Sequence, residues 1–290
     1  MDKISEFGKY HQTFWMTFMK SCPLDLPPYS GEIAEEYATP EVLALFAGPH
    51  KLLAGPGAEI LLEGRNRVGA VKIAAGRAGT TEIVVKEYHS CGINKLKSRL
   101  QPSKAAKAWR GARVLLDAGF ETPFPIAFLE KRKGGFVDEG YFIAERIFAA
   151  GEIRHLLRQL SEADLRPLLA ELARTLFLLH EKGILHRDLS DGNVLVGKEA
   201  GGSHFFFLDT NRIRRRRSLG AAARAKNLIR LGVPPVLQSF FLEEYAAAGN
   251  RPLRKSFVFW YKLSKNTFTA WVRLKKVLRL KRLGRKLRIQ

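Results

Sequence analysis

The stretch that most limits what this chain can be is His186-Arg187-Asp188-Leu189-Ser190-Asp191-Gly192-Asn193, followed by the apolar run Val194-Leu195-Val196. Sixteen residues past Asn193, a second apolar run, Phe205-Phe206-Phe207-Leu208, delivers Asp209. The pattern is H-R-D-x-x-x-x-N plus an Asp at a strand end. Phosphoryl transfer from a nucleotide needs such parts: a carboxylate to meet the acceptor hydroxyl, and an amide oxygen and second carboxylate to hold Mg²⁺ against the phosphates. An isolated Asp or Asn in a loop is ordinarily a cap. The trio in this order, between a long amphipathic helix and a strand, favours chemistry instead. Asp188 is accordingly read as the base, with Asn193 and Asp209 as Mg²⁺ ligands.

With Val84-Val85-Lys86 upstream, the motif resembles the protein-kinase-like superfamily. Its wording, Asp188-Leu189-Ser190-x-x-Asn193 with Asp209-Thr210-Asn211-Arg212, is similar to the lipopolysaccharide core kinase (Kdo/WaaP) family, over roughly residues 58 to 245. The resemblance implies an α+β, bilobal protein-kinase-like fold: a small antiparallel β-sheet lobe with one helix, then a mainly α-helical lobe. It implies ATP as donor, Mg²⁺ as cofactor and a sugar hydroxyl, of Kdo or heptose, as acceptor. Lys86 matches the lysine that grips nucleotide phosphates. Gly64-Arg65-Asn66-Arg67-Val68-Gly69 lies where the glycine-rich phosphate cover runs, although any hairpin would look similar and Arg65 and Arg67 would have to supply charge. Glu145 to Ile147 stands at the hinge whose backbone meets the adenine.

Read in order, residues 1–57 are broken by six prolines and are expected to form an extension packed on the first lobe, a disordered tail being the alternative. Residues 58–147 carry the nucleotide-binding sheet: strands at 58–63, 69–73, 81–86, 126–129 and 141–145, with a hairpin at Gly76–Gly79 and a helix from Ser103 to Ala118. Residues 148–250 form the helical lobe with the catalytic loop. Ser161-Glu162-Ala163-Asp164 opens its long helix as a capping box, and Leu165, Leu168, Leu169, Leu172, Leu176 and Leu179 recur at helical steps. His186 and Arg187 are expected to bridge the loop backbone and the core.

Three departures from the kinase pattern matter. Protein kinases pair the strand lysine with a helix Glu. Here Ala106 sits near that place, so Asp117 or Glu121 reaches back, or Lys86 leans on Asp209 directly. Ser190 replaces the lysine that serine/threonine kinases use, and Arg212 or Arg214 could supply that cation; the alternative for Arg212 and Arg214–Arg217 is a solvated or anion-facing run. No D-F-G or A-P-E follows. A protein or soluble small-molecule acceptor, or an inactive kinase-fold binding module, remains the alternative.

The net charge of +21 is unevenly spread: residues 251–290 hold fourteen Lys or Arg and no Asp or Glu. Such a basic helical tail wants a polyanion, and the expected partners are an anionic membrane surface and a lipid A–core saccharide acceptor. Nucleic acid is disfavoured, because no recognised motif is present and Phe257, Phe259, Trp260 and Tyr261 look like core. From Trp271 to Leu278 the apolar residues share one helical face, while Leu280, Leu283 and Leu287 fall on the other. Two short amphipathic segments, broken near Leu280 or at Gly284, are expected; a last helix with a solvated basic face is the alternative. Two cysteines, Cys22 and Cys91, are read as reduced thiols. The patch Phe14–Met19 lacks a cleavage site and no 18-residue apolar run spans a bilayer. The expectation is a cytoplasmic monomer, peripheral at the inner face of the cytoplasmic membrane.

Overall fold

The structure is a computed structural model that describes residues 19–55, 57–64, 66–74, 79–89, 96, 98–148, 150–199 and 202–287. The expectations for Phe14–Phe18, Arg65, most of the Gly76–Gly79 hairpin and Cys91 fall outside the described residues, as do those for the side chains of Leu280, Leu283 and Leu287. The chain divides into two compact units, Met1–Glu152 with Asn193–Arg215, and Ile153–Gly192 with Arg216–Gln290.

The first unit is built on a seven-stranded antiparallel sheet. Its strands are β1 (Ser21–Leu26), β2 (Tyr29–Ala34), β3 (Glu59–Leu62), β4 (Asn66–Ile73), β5 (Thr81–His89), β6 (Pro125–Lys133) and β7 (Phe136–Glu145), in the order β1-β2-β6-β7-β5-β4-β3. The sequence pattern pointed to the last five; β1 and β2 add to the sheet through β2, where Tyr29 faces Lys131 and Ile33 faces Ala127. Two short helices, α1 (Pro40–Phe46) and α2 (Pro49–Leu52), follow them. Along β5 the alternation is as expected for a pleated strand: Ile83 and Val85 are fully buried while Lys86 faces the other side. Helix α3 (Lys104–Asp117) starts at Ser103, whose Oγ accepts from the Ala106 N–H at 2.9 Å. It buries Ala105, Ala108, Trp109, Ala112 and Leu115, with Ala105 and Trp109 part of the sheet's main core. A second, three-stranded sheet joins β8 (Ala150–Glu152), β9 (Val194–Glu199) and β10 (Gly202–Phe207), with β9 central.

The second unit is helical: α4 (Ile153–Gln159), α5 (Glu162–Glu181), α6 (Ala221–Leu228), α7 (Gln238–Ala247) and α8 (Lys255–Leu287). Ser161 caps α5, accepting from the Asp164 N–H at 3.2 Å. All six leucines of the expected stripe on α5 are buried, each contributing about 1.5–3 kcal/mol of transfer free energy.

The tail departs from expectation. Helix α8 is one unbroken helix of 33 residues, running through both Leu280 and Gly284. An internal glycine costs a helix only about 1 kcal/mol, and the Lys, Arg and Leu around it are strong helix formers. A change of face in the apolar pattern does not stop a helix. Among its described side chains only the first part is core: Phe257 stacks on Tyr245 with centroids 5.3 Å apart, and Tyr261 is buried, whereas Phe259 and Trp260 are exposed. From Thr269 to Leu278 every residue is exposed.

His180, fully buried on α5, ties this unit together. Its Nδ1 lies 2.8 Å from the Tyr245 hydroxyl and its Nε2 3.0 Å from Asn227 Oδ1. The amide oxygen accepts, so Nε2 carries the proton and Nδ1 accepts from Tyr245. Burial pushes the imidazole pKa down from 6.5 to about 4. A base depressed in the fold contributes stability that is complete above its unfolded pKa and is lost as pH falls through its folded one. Between about pH 6.5 and 4 the unit should therefore lose stability on the order of 3 kcal/mol. Thermal unfolding followed by circular dichroism should show the melting temperature falling across that window, with a shallower fall in His180→Phe; parallel falls would refute it.

Candidate active site

In the sheet-rich unit the β9–β10 hairpin sets two of the expected residues. Val194 pairs with Phe207, and the Leu208 N–H donates to the Asn193 carbonyl at 2.9 Å. Asn193 and Asp209 thus leave the same end of one hairpin. Asp209 sits in the left-handed region, φ 53° and ψ 50°, a conformation uncommon outside glycine that Asp tolerates better than most. Lys86, from β5, donates to Asp209 Oδ1 at 2.6 Å. Asn211 Nδ2 donates to the same oxygen at 3.1 Å and to the Tyr88 hydroxyl at 3.4 Å, and the Lys86 ammonium lies 5.4 Å from the Tyr88 ring centroid. Burial alone would pull the Lys86 pKa down; the neighbouring Tyr88 and Asp209 more than reverse it, leaving the pKa above the ordinary lysine value.

Of the three partners considered for Lys86, Asp209 is the one the fold supplies. Glu121 turns to His204 Nδ1 at 2.8 Å, and Asp117 is exposed. Helix α3 is attached in another way. A Cβ at Gly111 would fall 2.0 Å from the Thr210 carbonyl oxygen, so the helix backbone lies directly against the residue after Asp209. The Thr210 hydroxyl donates to the Ala108 carbonyl at 2.7 Å. Small residues on α3 let it grip the chain at Asp209 where a protein kinase would use a carboxylate.

The expected nucleotide-contacting residues are placed as follows. Gly64 is exposed, with open space where a Cβ would stand. Gly69 lies within β4, where a Cβ would come 2.8 Å from Leu53 Cδ2 and 2.9 Å from the Glu59 carbonyl, which accounts for glycine there by packing. The half-buried carboxyl of Glu145 accepts from the Tyr37 hydroxyl, and its withdrawal from water raises its pKa. The Glu145 N–H donates to the Phe124 carbonyl and the Arg146 N–H to that of Glu82, each at 2.9 Å. Ile147 is half-buried, two residues past the end of β7.

Asp188 belongs to the helical unit. His186 is fully buried behind it; its Nδ1 accepts from the Asp188 N–H at 3.2 Å and its carbonyl accepts from Asn227 Nδ2 at 2.7 Å. His186 therefore bridges loop and core as expected. Arg187 does not, being exposed; on this short turn adjacent side chains diverge, and the core side is already taken by His186. Asp188 forms an ion pair with Arg230, a residue that no sequence pattern singles out. Arg212 and Arg214–Arg217 are exposed.

Comparison with known proteins adds the rest. The model of the lipopolysaccharide kinase (Kdo/WaaP) family matches residues 63–240. The chain belongs to that family. The kinase family's fold agrees with the one described: a solved WaaP structure, in complex with acyl carrier protein, aligns with a TM-score of 0.54 at 19% identity, over 75% of this chain and 91% of that one. A protein kinase domain, PknI of Mycobacterium tuberculosis, aligns less closely, with a TM-score of 0.39 at 13% identity over 72% and 96% of the two chains. Curated relatives match shorter stretches. Human serine/threonine-protein kinase ULK1 is 47% identical over 47 residues, 16% of this chain and 4% of that one. The putative cyclin-dependent kinase F-2 of Oryza sativa subsp. japonica is 28% identical over 142 residues, 46% and 41% of the two. The chain thus spans less than half the length of these curated relatives.

A kinase of this family is expected to use Mg²⁺, and the donor set fits. Asn193 and Asp209 offer hard oxygens from one hairpin end, and Mg²⁺ keeps several waters and phosphate oxygens, so two protein ligands suffice. Among the described residues no group of three or more His, Cys, Asp or Glu is arranged to hold a metal. Tyr88, Gly111 and Arg230 carry no weight in the sequence pattern, and Asn211 enters it only as part of the motif after Asp209, with no role assigned. Only Gly111, a glycine inside a helix with Ala108 one turn before it, offered a signal that could have been used.

The Gly111 contact is testable. Gly111→Val should force α3 off Thr210, lowering stability by about 1–3 kcal/mol as overpacked sites do. ATP turnover should fall more than the lost folded fraction explains, because Asp209 moves with Thr210. Wild-type stability and turnover would refute the contact.

Proposed function

We propose that this chain is an ATP-dependent kinase that phosphorylates a sugar hydroxyl, Kdo or heptose, of the lipopolysaccharide inner core. The family match carries the reaction class; the Lys86–Asp209 pair, formed without a helix carboxylate, supports an intact phosphate grip. Asp188 orients the acceptor hydroxyl and takes its proton late in transfer, a contribution typically worth about 10²- to 10⁴-fold. Lys86 holds the donor's phosphates, and the chain around Gly64 and Gly69 lies over them. The main chain from Glu145 to Ile147 meets the adenine. Asn193 and Asp209 hold Mg²⁺, which when bound neutralises phosphate charge. Ser190 in place of a lysine, and the absent A-P-E, favour a sugar over a peptide acceptor.

Turnover of ATP with Mg²⁺ should rise on adding Kdo-lipid A or deep-rough lipopolysaccharide, and phosphate should appear on the saccharide. Asp188→Ala should lower acceptor-dependent turnover at least about a hundredfold. Nucleotide binding without turnover on any acceptor would favour a binding module instead.

The same reading puts the enzyme at the inner face of the cytoplasmic membrane, held by α8. No helix among the described residues is long and apolar enough to cross a membrane. The exposed Trp271, Leu274, Val277 and Leu278, set among lysines and arginines, are the observation that favours surface attachment. Because Phe257 and Tyr261 are core, the test is best made in the full chain. Trp271→Asp with Leu274→Asp and Leu278→Asp should weaken co-sedimentation with phosphatidylglycerol vesicles by about tenfold or more. Undiminished sedimentation would sink the attachment. Acyl carrier protein, the partner in the WaaP structure, is the protein control in the same assay.

A further inference from the structure

Arg230 lies forty-two residues beyond Asp188 in sequence, yet its guanidinium pairs with the Asp188 carboxylate. The placement is built rather than casual. Leu228, Leu231 and Val233 are all buried, anchoring the segment that carries Arg230. Gly232 takes φ +72°, and a Cβ there would come 3.1 Å from Asp191 Oδ2, so the segment bends tightly against the catalytic loop. The loop is confined from a second direction as well. The Arg154 N–H donates to the Asp191 carbonyl at 3.3 Å, and a Cβ at Gly192 would fall 1.4 Å from Arg154 Nη2.

The other face of Arg230 meets α8. Its guanidinium carbon lies 5.6 Å from the Phe268 ring centroid, within cation–π range. Phe268 is the last half-buried residue on α8 before the exposed stretch that begins at Thr269. The contact therefore sits where the basic helix leaves the body of its unit.

We propose that Arg230 is a positioning residue for the Asp188 carboxylate, and that Phe268 links it to the basic helix α8. This rests on the reading of Asp188 as the base. A carboxylate on a short loop has several rotamers, and misplacement by an ångström can cost about a hundredfold in rate. Ser190 stands where serine/threonine kinases keep a lysine; Arg230 brings a cation to Asp188 from outside the loop, in a planar fork that fixes direction as well as charge. Phe268 in turn limits where that fork can lie. Whatever engages the exposed part of α8 is then mechanically connected to the base.

The test uses the full chain, Mg·ATP and Kdo-lipid A, with hydrogen exchange at residues 186–192 measured alongside. Arg230→Ala should lower kcat by about a hundredfold while leaving the KM for ATP within about twofold. Arg230→Lys should recover part of the loss, since charge returns without the fork. Phe268→Ala should lower kcat by a smaller factor, about fivefold, and both Arg230→Ala and Phe268→Ala should speed exchange in the loop. Asp188→Asn separates the base from its positioning. If it keeps parental turnover, the base assignment falls and the relay with it. If it is inactive while Arg230→Ala and Phe268→Ala keep parental kcat and loop exchange, the relay alone is overturned. Should the parent transfer nothing to Kdo-lipid A, unchanged exchange in the two variants still overturns the relay.

Discussion

The sheet-rich unit turns on the contact between Lys86 and Asp209. The two side chains are 22% and 23% exposed and meet at 2.6 Å. A pair so far withdrawn from water gains only if its remaining hydrogen-bonding capacity is met, and removing one partner leaves a charge in poor solvent. Asn211 adds a second donor to Asp209 Oδ1, and the Tyr88 ring faces the ammonium. The pair also sets a requirement on α3. A helix carboxylate at that spot would compete with Asp209 for the lysine; the helix carries only Asp117, exposed at its far end. It is fixed instead on the backbone of Thr210, and that contact needs glycine at 111 because nothing larger fits within 2.0 Å of a carbonyl oxygen. An acidic residue in one architecture and a missing side chain in another each keep helix, strand and hairpin in one register.

What was legible in the sequence was local. The leucine stripe of α5, the Ser161 and Ser103 caps and the alternation on β5 each depend on neighbours a few residues away, and each stands in the fold as its pattern demands. Of the loop motif, the fold shows Asn193 and Asp209 leaving one end of the β9–β10 hairpin; their chemistry with Asp188 is part of the proposal. What was hidden was non-local. Pro23 lies inside β1 and Pro27-Pro28 form the turn to β2, a proline-rich stretch that does not read as strand, and pairing between β2 and β6 joins residues about a hundred positions apart, which no short window registers. Arg230 is one of 49 basic residues, and nothing near it marks it as different from the others. The Gly64–Gly69 stretch looked like a phosphate cover by spacing, yet the packing of Leu53 gives Gly69 a sufficient reason of its own.

In the helical unit the buried polar residues are arranged as a chain, each satisfying the next. Tyr245 donates to His180, His180 to Asn227, and Asn227 to the carbonyl of His186, whose ring in turn accepts from the Asp188 N–H. Leaving any one unpaired inside the unit would cost about 1–3 kcal/mol. The loop that carries Asp188 is thereby bound to α5, α6 and α7 by hydrogen bonds with defined direction, which apolar packing alone does not give. Burial keeps His180 neutral, and neutrality is what lets its Nδ1 accept from Tyr245.

The tail shows local preference and pattern pulling apart. From Thr269 to Leu278 every residue of α8 is exposed, so burial does little to hold this part helical. Its charges work against it as well. Arg273 and Lys276 are like charges one helical turn apart, a spacing that destabilises a helix by a few tenths of a kcal/mol. The helix nonetheless continues to Leu287, because Lys, Arg and Leu are strong helix formers and no acidic or β-branched run interrupts them. Such a segment is favoured by propensity and opposed by self-repulsion. A surface or partner that carries negative charge removes the second effect while leaving the first. Helix stability in this stretch should therefore rise as its basic side chains are neutralised, and on the same stretch Trp271, Leu274, Val277 and Leu278 are exposed.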